Sequence, residues 1–157
     1  MKDNKEILNI LIVSLDENFG KKVSSVLASK LDMFVADCKD LVIYDLINPK
    51  DVLDKCGIEY FKKREKGVLT NCAEYHNTVL SININLFKEY YSVFDNSLII
   101  YLKLDEKKIT TTINKISYEN YNDFLEKNVD IVVPVINKSK EKATEKLMYK
   151  LGEILWK

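Results

Sequence analysis

Short apolar runs alternate along this chain with stretches whose apolar residues recur at helical spacing. Ile7-Leu8-Asn9-Ile10-Leu11-Ile12-Val13 is nearly continuous, with one Asn inside it. Such a run suits a strand covered on both faces. From Gly20 to Leu31, Val23, Val26, Leu27 and Leu31 mark one stripe of a helix. Met33 to Ala36 reads as a second short strand, closed by Asp37. Asp40 to Leu46 and Pro49 to Lys55 read as short helices, and Pro49 sits in a first turn, where its missing N–H costs nothing. Ile58 to Glu74 reads as a longer helix with Phe61, Val68 and Leu69 inward and Gly67 as its weak point. Three more strands follow at Thr78–Ile82, Leu98–Leu102 and Asp130–Val135. Ser139 to Trp156 is a last amphipathic helix with Ala143, Leu147, Leu151 and Leu155 on one face.

Strand, helix, strand, helix is the signature of βαβ units, whose parallel strands need covered crossovers. The expectation is an α/β three-layer sandwich with a five-stranded parallel sheet, one domain over 1–157. Ligands of such folds bind beyond the carboxyl ends of the strands. That directs attention to Ser14–Lys22, Asp37–Asp40, Asn83–Leu86, Lys103–Lys107 and Asn137–Ser139.

Composition narrows the function. Of 157 residues, 46% are hydrophobic and 31% charged, so a full core is within reach. Lys+Arg 24 balances Asp+Glu 24, and no global field draws the chain to nucleic acid or to an anionic membrane surface. No apolar stretch of about 18 residues is present to span a bilayer. The apolar run at the start lacks the flanks of a secretory signal, and the expected location is cytoplasmic. Cys38, Cys56 and Cys72 are odd in number and no two lie within four residues, which argues against a CxxC pair or a disulfide framework and for a reducing compartment. They read as small core or near-surface residues. The single histidine, His76, builds no His-based metal site and reads as a surface residue. Tyr90, Tyr91 and Phe94, then Tyr118, Tyr121 and Phe124, fall at helical spacing and read as packing rather than as a base-stacking platform. Lys138, Lys140 and Lys142 read as a solvated helix start.

The order of segments resembles the shikimate kinases, within the nucleoside-monophosphate-kinase-like group of P-loop NTPase folds. Ile10-Leu11-Ile12-Val13-Ser14 resembles their first strand, and Val23 to Leu31 their first helix. Val35-Ala36-Asp37-Cys38-Lys39-Asp40-Leu41-Val42 resembles the F-x-D-x-D-x-x-I stretch. Gly57-Ile58-Glu59-Tyr60-Phe61-Lys62-Lys63-Arg64-Glu65 resembles the G-E-x-x-F-R-x-x-E helix. Val79-Leu80-Ser81 resembles the strand before the Gly-Gly-Gly turn, and Tyr118 to Val133 with Lys138 to Leu155 the closing helix, strand and helix. The resemblance implies ATP and Mg²⁺ as cofactors. It implies Gly20, Lys21 and Lys22 at the nucleotide, Asp37 as the metal-supporting catalytic residue, and Lys62 and Asn83 at the substrate.

The same alignment exposes departures. A P-loop wraps backbone N–H groups around phosphates, adds a Lys for the outer ones and a Ser or Thr hydroxyl for Mg²⁺. Aligned without a gap, Ser14, Glu17 and Phe19 fall on the glycines, Gly20 on the Lys and Lys21 on the hydroxyl. One inserted residue puts Gly20-Lys21 on the Gly-Lys pair and Lys22 on the hydroxyl. Asp37 is equally suited to hold Mg²⁺ or to cap the helix that follows it. Lys39 stands where the second Asp contacts substrate, Lys62 replaces a bidentate Arg, and Asn83-Ile84-Asn85 replaces the Gly-Gly-Gly turn. The one arginine is Arg64, and the lid stretch from Lys103 to Asn122 carries only Lys103, Lys107, Lys108 and Lys115.

Three functions compete. The first is a catalytically impaired shikimate-kinase-like protein, with no cofactor, acting as a binding or regulatory module for a small anionic ligand or a protein partner. The second is an active ATP-dependent small-molecule kinase with a remodelled P-loop, using ATP and Mg²⁺. The third is a structural subunit of a homodimer or hetero-complex.

Overall fold

The computed structural model describes residues 6–105, 115–136 and 139–155. Lys107, Lys108, Asn137, Lys138 and Trp156, named above, lie outside them. The elements run β1 (Asn9–Ser14), α1 (Glu17–Leu31), β2 (Phe34–Asp37), α2 (Cys38–Leu46), α3 (Pro49–Cys72), β3 (Thr78–Ile82), α4 (Ile84–Tyr90), a 3₁₀ turn (Tyr91–Phe94), β4 (Ser97–Leu104), α5 (Lys115–Asn128), β5 (Ile131–Val135) and α6 (Lys140–Leu155). The five strands form one sheet in the order β2-β3-β1-β4-β5, every neighbouring pair parallel. No helix among the described residues is long and apolar enough to cross a membrane.

β1 lies at the centre, with Ile12 opposite Ser81 on one side and Ile100 on the other. All six of its residues are buried. Alternation sends Ile10 and Ile12 to the face covered by α1 and α6, where they join Val23, Leu27, Leu147 and Leu151. Leu11 and Val13 go to the opposite face and meet Cys38, Leu69, Phe87 and Leu125. The strand is therefore apolar at consecutive positions because both of its faces are core.

Asn9, the exception in that run, is 1% exposed. Its Nδ2 donates to the carbonyls of Ala73 (2.9 Å) and Tyr75 (2.8 Å), and its Oδ1 accepts from the Ser97 hydroxyl. One amide thus joins the start of β1, the connection between α3 and β3, and the start of β4. Its donors and its acceptor are all engaged, which a buried polar group requires.

The structure differs from the sequence reading at several boundaries. α1 begins at Glu17, before Gly20, because Asp16 caps it. Asp32, in the left-handed region (φ 54), ends the helix and leaves β2 to start at Phe34 rather than Met33. The two helices expected around residue 57 are present as halves of α3, broken at Gly57 with φ 84 and ψ 168, a backbone state that favours glycine. On α3, Leu69 is buried whereas Phe61 and Val68 are only half-buried. α4 and α5 were not assigned as elements from periodicity, yet the first aromatic set lies on the end of α4 and the 3₁₀ turn after it, and the second on α5. Phe124 of α5 meets Phe87 of α4 edge-on at 6.1 Å and Tyr91 at 5.5 Å, so these rings serve packing.

Replacing Asn9 with Leu keeps the branching of the side chain and removes its hydrogen bonds to two carbonyls and to the Ser97 hydroxyl. The expected loss is roughly 2–4 kcal/mol in urea denaturation, against about 1 kcal/mol for Ser97→Ala.

Candidate functional site

Parallel strands bring the β1–α1, β2–α2 and β3–α4 junctions to one edge of the sheet. The register sets Asp37 beside Ser81 and Val13 beside Ile82. All six residues expected at a site, Gly20, Lys21, Lys22, Asp37, Lys62 and Asn83, lie on this side of the molecule or on the helices that border it.

Only Leu15 and Asp16 separate β1 from α1. Asp16 is extended (φ −101, ψ 102), and its carboxylate accepts the Phe19 N–H at 3.0 Å. Its own N–H donates to Ser14 Oγ at 3.2 Å, and its carbonyl accepts the Gly20 N–H at 3.0 Å. A phosphate cradle needs several backbone N–H groups converging on a point outside the chain. Here a carboxylate of the chain itself sits on the amide that an incoming anion would meet, and Glu17 follows in the first turn. Gly20 is inside the helix and buried. A Cβ there would come 3.3 Å from the Ser14 Cβ, so this glycine lets α1 approach β1 closely.

The two lysines that follow diverge. Lys21 Nζ pairs with Asp40 Oδ2 at 2.9 Å. That hydrogen bond, aided by the charges of Asp37, Asp40 and Glu17 and opposed by burial, holds the Lys21 ammonium above its ordinary value. Lys22 is exposed and lines a separate cleft of about 460 Å³ with Asp16, Asn18, Phe19, Lys140 and Glu141. Across the mouth, Lys39 Nζ stands 3.6 Å from Glu17. Two reciprocal ion pairs therefore join the first turns of α1 and α2.

Asp37 is 9% exposed. One carboxylate oxygen accepts the Ser81 hydroxyl at 2.6 Å, and the other accepts the Asp40 N–H at 3.1 Å, capping α2. Of the two roles open to this residue, capping is the one its hydrogen bonds display. No group of three or more His, Cys, Asp or Glu side chains placed to hold a metal ion occurs among the described residues.

A second cleft, about 470 Å³, opens between α2, α3 and α4. Lys39, Phe61, Glu65, Asn83, Asn85 and Glu89 are among its walls. Asn83 caps α4, its Oδ1 accepting the Leu86 N–H at 2.8 Å. Lys62 Nζ pairs with Glu89 at 2.9 Å. The Tyr90 hydroxyl donates to Glu65 at 2.7 Å, and burial followed by the neighbouring Glu65 and Glu89 carboxylates pushes its pKa far up. Glu89 is not singled out by the sequence, and Tyr90 reads there only as a packing aromatic. The Asn83 cap opens the helix whose far end carries both residues and reaches back to Glu65. Lys103, at the entry to the expected lid, pairs with Glu126 at 2.7 Å, and His76 is exposed as expected.

Comparison with known proteins gives a consistent picture. The family model described as shikimate kinase matches residues 19–150, a span that begins just past the β1–α1 turn. Among solved structures, shikimate kinase from Aquifex aeolicus vf5 superimposes with a TM-score of 0.73 at 18% identity, over 93% of this chain and 97% of that one. Shikimate kinase from Acinetobacter baumannii in complex with shikimate gives 0.65 at 18% identity, over 95% and 96%. A sugar kinase from Janibacter sp. HTCC2649, unliganded, gives 0.61 at 13% identity, over 92% and 94%. No curated protein matches the chain. The five-stranded parallel sheet and its helices are those of the shikimate kinase P-loop fold.

The hydrogen bonds of Asp37 set an energetic test. Asp37→Ala removes a cap and orphans a buried hydroxyl, with an expected cost of roughly 2–3 kcal/mol in urea denaturation. Lys21→Ala breaks only an exposed pair and is expected to cost under about 0.5 kcal/mol.

Proposed function

The chain belongs to the shikimate kinase family, and from that premise we propose that it is a member impaired in phosphotransfer, acting as a binding or regulatory module. Its partner is a small anionic ligand or a second protein, a further copy of this chain included. The observation that carries this reading is the two-residue β1–α1 turn with the Asp16 carboxylate on the Phe19 amide. A triphosphate entering there meets Asp16 and Glu17 at short range, where like charges repel most strongly.

The family normally works with ATP and Mg²⁺, and the residues here do not fit that pair. Mg²⁺ takes one or two carboxylates or hydroxyls together with phosphate oxygens. The position after the Gly-Lys pair is Lys22, and both oxygens of Asp37 already accept protein hydrogen bonds. Lys21, the cation for the outer phosphates, is engaged by Asp40. On the substrate side, Lys62 is engaged by Glu89 and Asn83 by the first turn of α4.

One observation favours a second reading, an active kinase with a remodelled site. The 460 Å³ cleft beside α1 brings Lys22 and Lys140 together, a pair of cations an anion could use.

Titration calorimetry separates the two readings. Mg·ATP and shikimate are each expected to give no saturable heat at micromolar concentrations. Micromolar binding of both, with ADP release that Lys21→Ala/Lys22→Ala abolishes, would establish the kinase instead.

A further inference from the structure

We propose that Cys38 and Cys72 are a reversible dithiol–disulfide pair that fastens the start of α2 to the end of α3. Cys38 is the first residue of α2 and Cys72 the last of α3, and both side chains are 0% exposed. Their sulfurs stand 3.8 Å apart. Cys72 also donates its thiol hydrogen to the Leu69 carbonyl at 3.3 Å, which leaves Cys38 to donate to the Cys72 sulfur. To become a bond the sulfurs must close from 3.8 Å to about 2.05 Å. Cys56, the third thiol, is exposed and plays no part.

The step balances with a hydroperoxide as oxidant. The Cys72 thiol gives up its proton, its sulfur attacks the peroxide O–O bond and becomes a sulfenic acid, and the leaving hydroxide takes up that proton and departs as water when the oxidant is hydrogen peroxide. The Cys38 sulfur then attacks the sulfenic sulfur, the S–S bond forms and a second water leaves. Two electrons pass from the thiols to the peroxide. The hydrogen bond to Cys72, and then burial, raise the Cys38 thiol well above its usual range, so the reaction is slow and waits on opening of the helix ends. Once formed, the bond closes the loop from Cys38 to Cys72, which contains α2 and α3 and begins one residue after Asp37.

The test uses the folded full chain carrying Cys56→Ser, incubated with millimolar hydrogen peroxide in native buffer. The intact mass is expected to fall by two hydrogen atoms, with a Cys38–Cys72 peptide on mapping and full reversal by dithiothreitol. Closing that loop is expected to raise Tm by roughly 5–15 °C. Linkage that appears only in urea, or native protein whose two thiols stay alkylatable or go on to sulfinic acid, would overturn the proposal and leave the pair as core filling.

Discussion

A strand buried on both faces can leave the core only where its polar backbone finds partners, and β1 governs the molecule through the two ends at which it does so. At the entry, the Asn9 amide serves three chain segments at once. At the exit, Ser14 and Asp16 close the turn among themselves, and Gly20 lets the helix lie against the strand. In a phosphate-binding relative the exit is a loop whose N–H groups face outward. Here the turn is too short for that and spends its first-turn amide on its own carboxylate. The sheet keeps the family's architecture, and the connection after β1 closes through the Asp16 cap.

Charge pairing repeats that theme at the site. Lys21 meets Asp40, Lys39 meets Glu17 and Lys62 meets Glu89. Each pair is solvent-exposed and adds little to stability. Their effect is on ligands: an anion must displace a carboxylate to reach any of these ammonium groups. Such pairs weaken with salt, so the surface becomes more available to a partner at higher ionic strength even as long-range attraction fades.

Much of this was legible before the structure. Apolar runs marked all five strands, and the central strands β1, β3 and β4 are buried along nearly their whole length, with no solvent face to break the pattern. The stripes of α1 and α6 were equally plain. α5 was expected only through the family resemblance, and the start of α4 was not assigned at all. Ile84–Tyr90 spans seven residues, too few for a period to establish itself, and its cap is an Asn that read as a replaced glycine. At the site, the missing phosphate-loop pattern could be read directly. The partners could not: Asp40, Glu89 and Glu17 lie on different helices from the lysines they engage, and nothing local in the sequence ties them. Cys38 and Cys72, 34 residues apart, are joined only by the fold.

Parallel sheets must also end somewhere, and the two rims here end differently. β2 leaves Phe34 and Val35 at 72% and 48% exposure, an apolar margin that would invite another strand were it longer than four residues. β5 carries Pro134 within its five residues, a position with no N–H to offer a newcomer. One rim is guarded by brevity and the other by a missing donor, so growth of the sheet from chain to chain is discouraged on both sides.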